Sequence, residues 1–196
     1  MALKPKIALI IGSTRPTRFA DKPAQWMLKQ MQAREDLTVE LVDLRDFDLP
    51  LFAEMASNAY MPSADPRATA WQKKMAEFDG YVFVVAEYNH SITGSLKNAL
   101  DQAYVEWVHK PMGAIGYGGV GAARAIEHLR GIGVELQMVP VRNAVHIGGT
   151  DFYRVGPYNP QAEPIEAIEG SLMASATATL DDVVWWAKAT MAARAA

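Results

Sequence analysis

The 196-residue sequence predicts a single-domain α/β protein in which a five-stranded, doubly wound parallel sheet lies between two layers of helices. Short, continuously apolar runs are typical of strands that are covered on both faces. These runs alternate five times with segments whose apolar residues recur at helical spacing. Such alternation favours a parallel sheet with right-handed crossovers and helices on both faces.

The first half of the chain contains three predicted strands and two predicted helices. The strands are KIALIIG, TVELVDL and YVFVVA. The first helix tolerates Pro23 in its first turn, and its apolar stripe is Ala24, Met27, Leu28 and Met31. The second begins at Asp65 and Pro66, an N-cap followed by proline at the first helical position, and is predicted to end at Gly80. Residues 45–64 show no period and are predicted as a long loop.

The second half repeats the alternation of strand and helix. The third predicted helix carries its inner stripe at Leu96, Ala99, Leu100, Ala103 and Trp107. PMGAIGYGG predicts the fourth strand, and the helix after it is predicted to end at Gly131 and Gly133. VELQMVPVRNAVHI predicts the fifth strand, and the aromatic, proline-bearing residues 151–164 predict a loop. The last helix has its stripe at Leu180, Val183, Val184, Ala187 and Met191.

Composition excludes several classes of function. A chain without cysteine has no thiol nucleophile, no cysteine-bound cluster and no thiolate zinc site, and we expect no metal. The net charge of −3 contains no basic stripe, so nucleic acid is not an expected partner. The apolar run from Ile7 to Ile11 is too short for a signal peptide or a membrane span. We therefore expect a soluble cytoplasmic protein with no membrane partner.

Ligands of doubly wound sheets bind beyond the carboxyl ends of the strands, so the turns after strands one, three and four are the candidate sites. The first turn is GSTRPTR. Backbone N–H groups before a helix, hydroxyls and the forked guanidinium of arginine all suit phosphate oxygens. The turn predicts a site for a phosphate monoester, and the alternative is a polar loop whose arginines pair with surface carboxylates.

The third and fourth turns predict contacts to a flat ring system. In EYNHSITG, Tyr88 offers a stacking surface, whereas Ser91 or Thr93 is a candidate N-cap and an isolated His90 is more often structural. The fourth turn, Gly116–Gly121, matches G-x-G-x-x-G literally. A dinucleotide site also needs an acidic residue at the end of the next strand, but Glu135 lies at the predicted start of that strand. The glycines more simply allow a ring edge to approach the backbone.

These segments resemble the NADPH-dependent FMN reductase family, through GSTRPTR, EYNHSITGSLKNALD and GYGGVGAARAIEHLR. The similarity covers most of the chain and implies a flavodoxin-like fold with strand order 2-1-3-4-5, with residues 1–196 as one FMN-binding domain. It implies an enzyme in which NADPH or NADH reduces non-covalent FMN, which passes electrons to a quinone, flavin or azo acceptor. It also implies a homodimer or tetramer. The alternatives are a flavodoxin-like electron carrier without NAD(P)H turnover and a nucleotide-binding module without flavin.

The resemblance also implies which residues contact FMN. The phosphate would be held by Ser13, Thr14, Arg15, Thr17 and Arg18. The ring would be lined by Glu87, Tyr88, Asn89, His90 and Ser91, and its pyrimidine edge would meet Gly118 and Gly119. No catalytic side chain is implied, because the flavin carries the chemistry.

Two positions depart from the family pattern. Many relatives have proline where this chain has Ala86, which predicts a less rigid turn. Some relatives have a hydroxyl where this chain has Arg18, which could bind the FMN phosphate or reach the 2′-phosphate of NADPH. The loops at residues 45–64 and 151–164 are the expected walls of an acceptor pocket and sites of dimer contact.

Overall fold

The computed structural model, which describes residues 4–196, contains one sheet of parallel strands in the order β2-β1-β3-β4-β5. The strands are β1 (Lys6–Ile11), β2 (Thr38–Asp43), β3 (Gly80–Ala86), β4 (Pro111–Tyr117), β5 (Val139–Pro140) and β6 (Val145–Ile147). The small β6 also pairs with β4, beyond β5 along the same edge. The predicted fold and strand order are confirmed.

Within residues 4–196, six α-helices cover both faces of the sheet. They are α1 (Asp21–Gln32), α2 (Pro66–Ala76), α3 (Gly94–Asp101), α4 (Ala123–Glu135), α5 (Gly149–Val155) and α6 (Glu169–Arg194). Helices α1, α5 and α6 bury their apolar residues in one core, and α2, α3 and α4 bury theirs in the core on the opposite face. No helix of residues 4–196 combines the length and the hydropathy that a membrane span requires.

The predicted fifth strand is wrong in its extent. Its first two residues are the end of α4, and of the remainder only Val139–Pro140 and Val145–Ile147 are strands. Pro140 has no N–H to donate, so the ladder there depends on Val141, whose N–H donates to the Met112 carbonyl at 2.9 Å. The chain then leaves the sheet at Asn143, whose side chain donates to Asp182 at 2.8 Å, before it re-enters as β6.

Neither Gly131 nor Gly133 ends α4, contrary to the prediction. Gly133 is buried against the side chain of Met112, where a Cβ would collide with the thioether, so this glycine serves packing. The helix ends instead at Glu135, and Gln137, one residue past its C-cap, has a positive φ of 56°. The Met138 N–H donates back to the Gly133 carbonyl at 2.8 Å, which is the Schellman arrangement with glutamine in the usual glycine position.

Three other boundaries differ from the predictions. Helix α2 ends at Ala76, and Gly80 is the first residue of β3. Helix α3 ends at Asp101, so Ala103 and Trp107 are buried from the irregular segment that follows it. Residues 151–164, predicted as a loop, begin inside α5. Apolar spacing reports burial, and a buried residue need not belong to the helix that precedes it.

Candidate functional site

A cleft of about 690 Å³ lies at the carboxyl ends of β1, β3 and β4. Its volume falls in the range of small-molecule sites, roughly 300–1,000 Å³. Nine of the predicted site residues line it: Ser13, Arg15, Thr17, Arg18, Glu87, Tyr88, Asn89, Gly118 and Gly119. The three turns singled out from the sequence therefore meet around one space.

Three predicted site residues do not line the cleft. Thr14 borders a separate cavity of about 250 Å³, beside Leu44 and Ser95. His90 is exposed at the tip of its turn. Ser91 faces α4, where its Oγ lies 2.7 Å from Nδ1 of His128.

The first turn is fixed to the sheet through Gly12. The Gly12 N–H donates to the Val84 carbonyl at 3.1 Å, and its own carbonyl accepts bonds from Thr93 Oγ1 at 2.5 Å and Ser95 Oγ at 2.9 Å. A Cβ at this position would lie 2.9 Å from the Leu96 side chain, so only glycine allows this approach. Thr93 is also the N-cap of α3, which confirms one of the two predicted cap candidates.

Beyond Gly12 the first turn carries hydrogen-bond donors. Within residues 4–196, the N–H groups of Thr14, Arg15 and Thr17 donate no hydrogen bond. The Arg15 side chain is exposed; its Nη1 lies 3.4 Å from the Tyr88 hydroxyl, and its guanidinium carbon lies 5.9 Å from the centre of that ring. Free N–H groups beside an unpaired guanidinium are the donor set that phosphate requires.

Arg18 is placed differently, because its guanidinium is only 3% exposed and is already paired. Its Nη1 donates to Asp43 at 2.6 Å and to the Ser13 carbonyl at 2.8 Å, and its Nη2 donates to the other Asp43 oxygen. Its Nε donates to Asp21 at 2.9 Å. The guanidinium is therefore oriented toward the protein by two carboxylates and one carbonyl.

The third turn is a tight hairpin turn from Tyr88 to Ser91. The N–H of each of these residues donates to the carbonyl of the other, at 2.9 and 3.0 Å. The two central residues, Asn89 and His90, have φ values of 50° and 67°, which is the type I′ geometry that favours asparagine. Backbone pairing, rather than proline, defines this turn after Ala86.

The Glu87 side chain lines the cleft but directs its oxygens to the start of α4. They accept bonds from Nε of Arg124 at 2.7 Å and from the backbone N–H groups of Arg124 and Ala125 at 3.2 and 3.4 Å. Burial raises the pKa of the Glu87 carboxyl, but these donors outweigh it and hold the pKa below its ordinary value. Glu87 is thus an ionised carboxylate that joins the third turn to a helix N-terminus.

The fourth turn presents backbone to the cleft. Gly118 has a φ of +146°, and its N–H donates to the Ile147 carbonyl at 3.2 Å. Gly119 has no atom within 4 Å of where a Cβ would stand, and its N–H makes no hydrogen bond within the described residues. Glu135, considered as a partner for this turn, is the last residue of α4 and not the start of a strand as predicted. The glycine-rich turn therefore lacks the acidic residue of a dinucleotide site.

An aromatic wall closes one side of the cleft, and no sequence pattern marks its members individually. Phe19 stands edge-on to Tyr117 and Phe152, with ring centres 5.1 and 5.4 Å apart. Burial raises the pKa of the Tyr117 hydroxyl to about 12, although the nearby Ser13 acts in the opposite direction. Phe152, Pro157 and Tyr158 come from residues 151–164, which were expected to form a wall; residues 45–64 do not line the cleft.

Comparison with known proteins identifies the same family that the three turns resemble. A family profile described as NADPH-dependent FMN reductase matches residues 5–151. A NAD(P)H-dependent FMN reductase from Nectria is 37% identical over 126 residues, which are 61% of this chain and 63% of that protein. A 2-hydroxy-1,4-benzoquinone reductase from Burkholderia is 36% identical over 146 residues, 71% of this chain and 74% of that protein.

A solved structure shows the same fold. The flavoenzyme NAD(P)H:acceptor oxidoreductase from Paracoccus denitrificans superposes with a TM-score of 0.70 at 22% identity, covering 95% of this chain and 98% of its own. At that identity the similarity concerns the fold alone.

Proposed function

Because the chain belongs to the NADPH-dependent FMN reductase family, we propose that it is an FMN-dependent NAD(P)H oxidoreductase. The proposed reaction takes hydride from NADPH or NADH and passes electrons to a small acceptor such as a quinone, a flavin or an azo compound. The observation that carries the proposal is the single cleft of about 690 Å³ that joins a phosphate-type donor set to an open, aromatic-walled space. Residues 1–196 are proposed to be one FMN-binding domain.

The donor set of the first turn fits the phosphate of FMN. The N–H groups of Thr14, Arg15 and Thr17 are free of partners within residues 4–196, and Ser13 adds a buried hydroxyl. Arg15 supplies the exposed positive charge. These groups would hold a dianion by charge-assisted bonds, which are about twice as strong as neutral ones.

The third and fourth turns fit the ring. Tyr88 and Asn89 line the cleft on one side, and the bare backbone of Gly118 and Gly119 lines it on the other. No side chain obstructs Gly119, so its N–H is accessible to a ring edge. We propose that His90 and Ser91 support the ring through the backbone of their turn, because neither side chain lines the cleft.

Bound FMN supplies the chemistry of accepting hydride and releasing electrons, and the protein residues position the partners. The wall of Phe19, Tyr117 and Phe152 excludes water from one side of the cleft. The Gly119 N–H offers a fixed donor where negative charge develops at the ring edge. Glu87 is not proposed as a base, since its carboxylate is occupied by Arg124 and α4.

We also propose that the chain forms a homodimer or a larger assembly of dimers. Residues 51–61 expose several large apolar side chains, among them Leu51 at 83%, Met55 at 88% and Tyr60 at 88% exposure. Exposed apolar side chains mark an association site where they form one surface. If this segment contacts a second copy, Met55→Glu should shift the mass measured by light scattering to that of the monomer. The NAD(P)H dependence makes the cytoplasm the proposed compartment.

The test is a visible absorption spectrum of protein reconstituted with FMN and desalted, followed by NADPH and then NADH under anaerobic conditions. Retained flavin bands that bleach with either reductant are the expected result. Bands that persist with both reductants would make the protein an electron carrier. A protein that retains no flavin would contradict the proposed cofactor.

A further inference from the structure

Asp43 connects two arginines beneath the first turn. At the end of β2, its Oδ1 accepts bonds from Arg18 Nη1 at 2.6 Å and from the Arg45 N–H at 3.0 Å, and its Oδ2 accepts a bond from Arg18 Nη2. Burial raises the pKa of the Asp43 carboxyl, but the bonds from Arg18 and Arg45 outweigh it, so the pKa lies below its ordinary value. Asp43 is therefore ionised at neutral pH and holds the guanidinium of Arg18 and the backbone of Arg45.

The two arginines hold three successive carbonyls of the turn. Arg18 Nη1 donates to the Ser13 carbonyl at 2.8 Å. Arg45 Nε donates to the Thr14 carbonyl at 3.4 Å, and its Nη2 donates to the Arg15 carbonyl. No other side chain bonds to these three carbonyls within residues 4–196.

Because the peptide group is planar, a bond that holds one carbonyl also fixes the direction of the N–H of the next residue. In a trans peptide the carbonyl of one residue and the N–H of the next point in opposite directions. Since the Ser13 and Thr14 carbonyls face the arginines, the N–H groups of Thr14 and Arg15 point away from them. These two N–H groups are among those that make no hydrogen bond in the part of the chain that the structure describes.

We propose that Asp43, Arg18 and Arg45 are positioning residues that hold the first turn in its phosphate-binding shape, and thereby set the preference of the site for FMN over riboflavin. This inference rests on the proposed function. It assigns to Arg18 an indirect role in place of direct contact with the phosphate. Asp43 and Arg45 lie outside the three turns singled out from the sequence.

The two roles of Arg18 predict opposite effects of Asp43→Asn. If Arg18 contacts the phosphate directly, loss of the Asp43 charge frees its guanidinium and removes a repulsive carboxylate, so FMN binds more tightly. If Arg18 is a positioning residue, the asparagine N–H₂ meets Arg18 Nη2 donor to donor, and Arg18 no longer holds the Ser13 carbonyl in place. FMN binding then weakens.

The experiment measures the dissociation constants of FMN and riboflavin for the wild type, Asp43→Asn and Arg45→Gln by quenching of flavin fluorescence. Riboflavin has the same ring system but no phosphate. We expect each variant to bind FMN about tenfold more weakly, the scale of one charge-assisted hydrogen bond, and riboflavin within about twofold of the wild type. The matched control is Asp36→Asn, which breaks an equivalent pair with Arg34 just before the opposite end of β2 and should change neither constant.

Several results would overturn the proposal. Unchanged or tighter FMN binding by Asp43→Asn would show that Arg18 does not act through the turn. An equal loss of FMN and riboflavin affinity would indicate a general structural effect. Arg45 is exposed, so Arg45→Gln keeps the test valid even if Asp43→Asn does not fold. A wild type that binds both flavins equally refutes this inference and the phosphate site of the first turn but leaves the proposed flavin-dependent activity standing, whereas one that binds neither refutes the proposed function and this inference with it.

Discussion

Replacing Gly119 with valine should weaken flavin binding and leave the fold intact. Gly119 is exposed in the fourth turn, its φ lies outside the region that favours glycine, and nothing stands within 4 Å of the place of a Cβ. The protein alone therefore accepts valine without a collision. The change also restricts the unfolded chain, so the free energy of unfolding should stay within about 1 kcal/mol of the wild type.

The same side chain would occupy the space proposed for the ring edge. Inserting carbon atoms into a filled site costs about 1–3 kcal/mol, and the structure offers little relief, because the Gly119 carbonyl accepts the Gly149 N–H at 3.0 Å and holds the turn in place. FMN binding should accordingly weaken roughly 5- to 150-fold.

The assay is titration of the apoprotein with FMN, followed by fluorescence quenching, with thermal unfolding measured on the same samples. Gly131→Val is the matched control, because Gly131 also has open space around it but lies within α4, outside the cleft. Full FMN affinity in Gly119→Val would refute the placement of the ring against the fourth turn. Equal loss of affinity in both variants would refute it as well.

The other predictions concern Arg15 in the proposed phosphate site, Thr93, which holds the first turn through Gly12, and Lys110, just before β4. Arg15→Ala should weaken FMN binding by about tenfold or more, because a hydrogen bond to a charged group is lost, with riboflavin unaffected in the same titration. Thr93→Ala removes the α3 cap and the bond to Gly12 and should lower the free energy of unfolding by about 1–2 kcal/mol in urea, whereas Thr93→Ser should restore most of it. Burial lowers the pKa of Lys110 to about 8 from 10.5, so the unfolded chain binds the proton more strongly. The stability of the wild type relative to Lys110→Met should rise by up to about 3 kcal/mol between pH 7 and pH 10.5, and a pH-independent difference would contradict this reasoning.

The sheet could be predicted from the sequence because its central strands are covered on both faces. β3 and β4 are buried along their whole length and read as unbroken apolar runs. The fifth strand gave no such pattern, since β5 and β6 together contain five residues and depend on β4 for their pairing. The end of α4 could not be predicted either, because Gln137 adopts a positive φ at a position that glycine usually occupies.

At the site, local sequence predicted the three turns but not the residues that hold them in place. Asp43 is the last residue of β2, and strand order 2-1 already places that end beside the first turn, so this neighbour could have been predicted. The pairing of Glu87 with Arg124 joins residues 37 positions apart and had no local signal. Phe152 and Tyr158 could be predicted only as members of an aromatic segment, because the contact of Phe152 with Phe19, and that of Tyr158 with Phe152, depend on how α5 packs.

Most of the charged side chains that line the cleft are paired within the protein and are not free to bind a ligand. Glu87 and Arg18 line the cleft, yet each is paired with a residue outside the three turns, Arg124 and Asp43 respectively. Of the charged side chains that line the cleft, Arg15 alone makes no ion pair within the described residues. The groups left free to bind a ligand are then mostly backbone N–H donors, which neither titrate nor change rotamer. A site built in this way suits a cofactor that supplies its own reactivity, because the protein has only to hold it in place and favour the charge it gains.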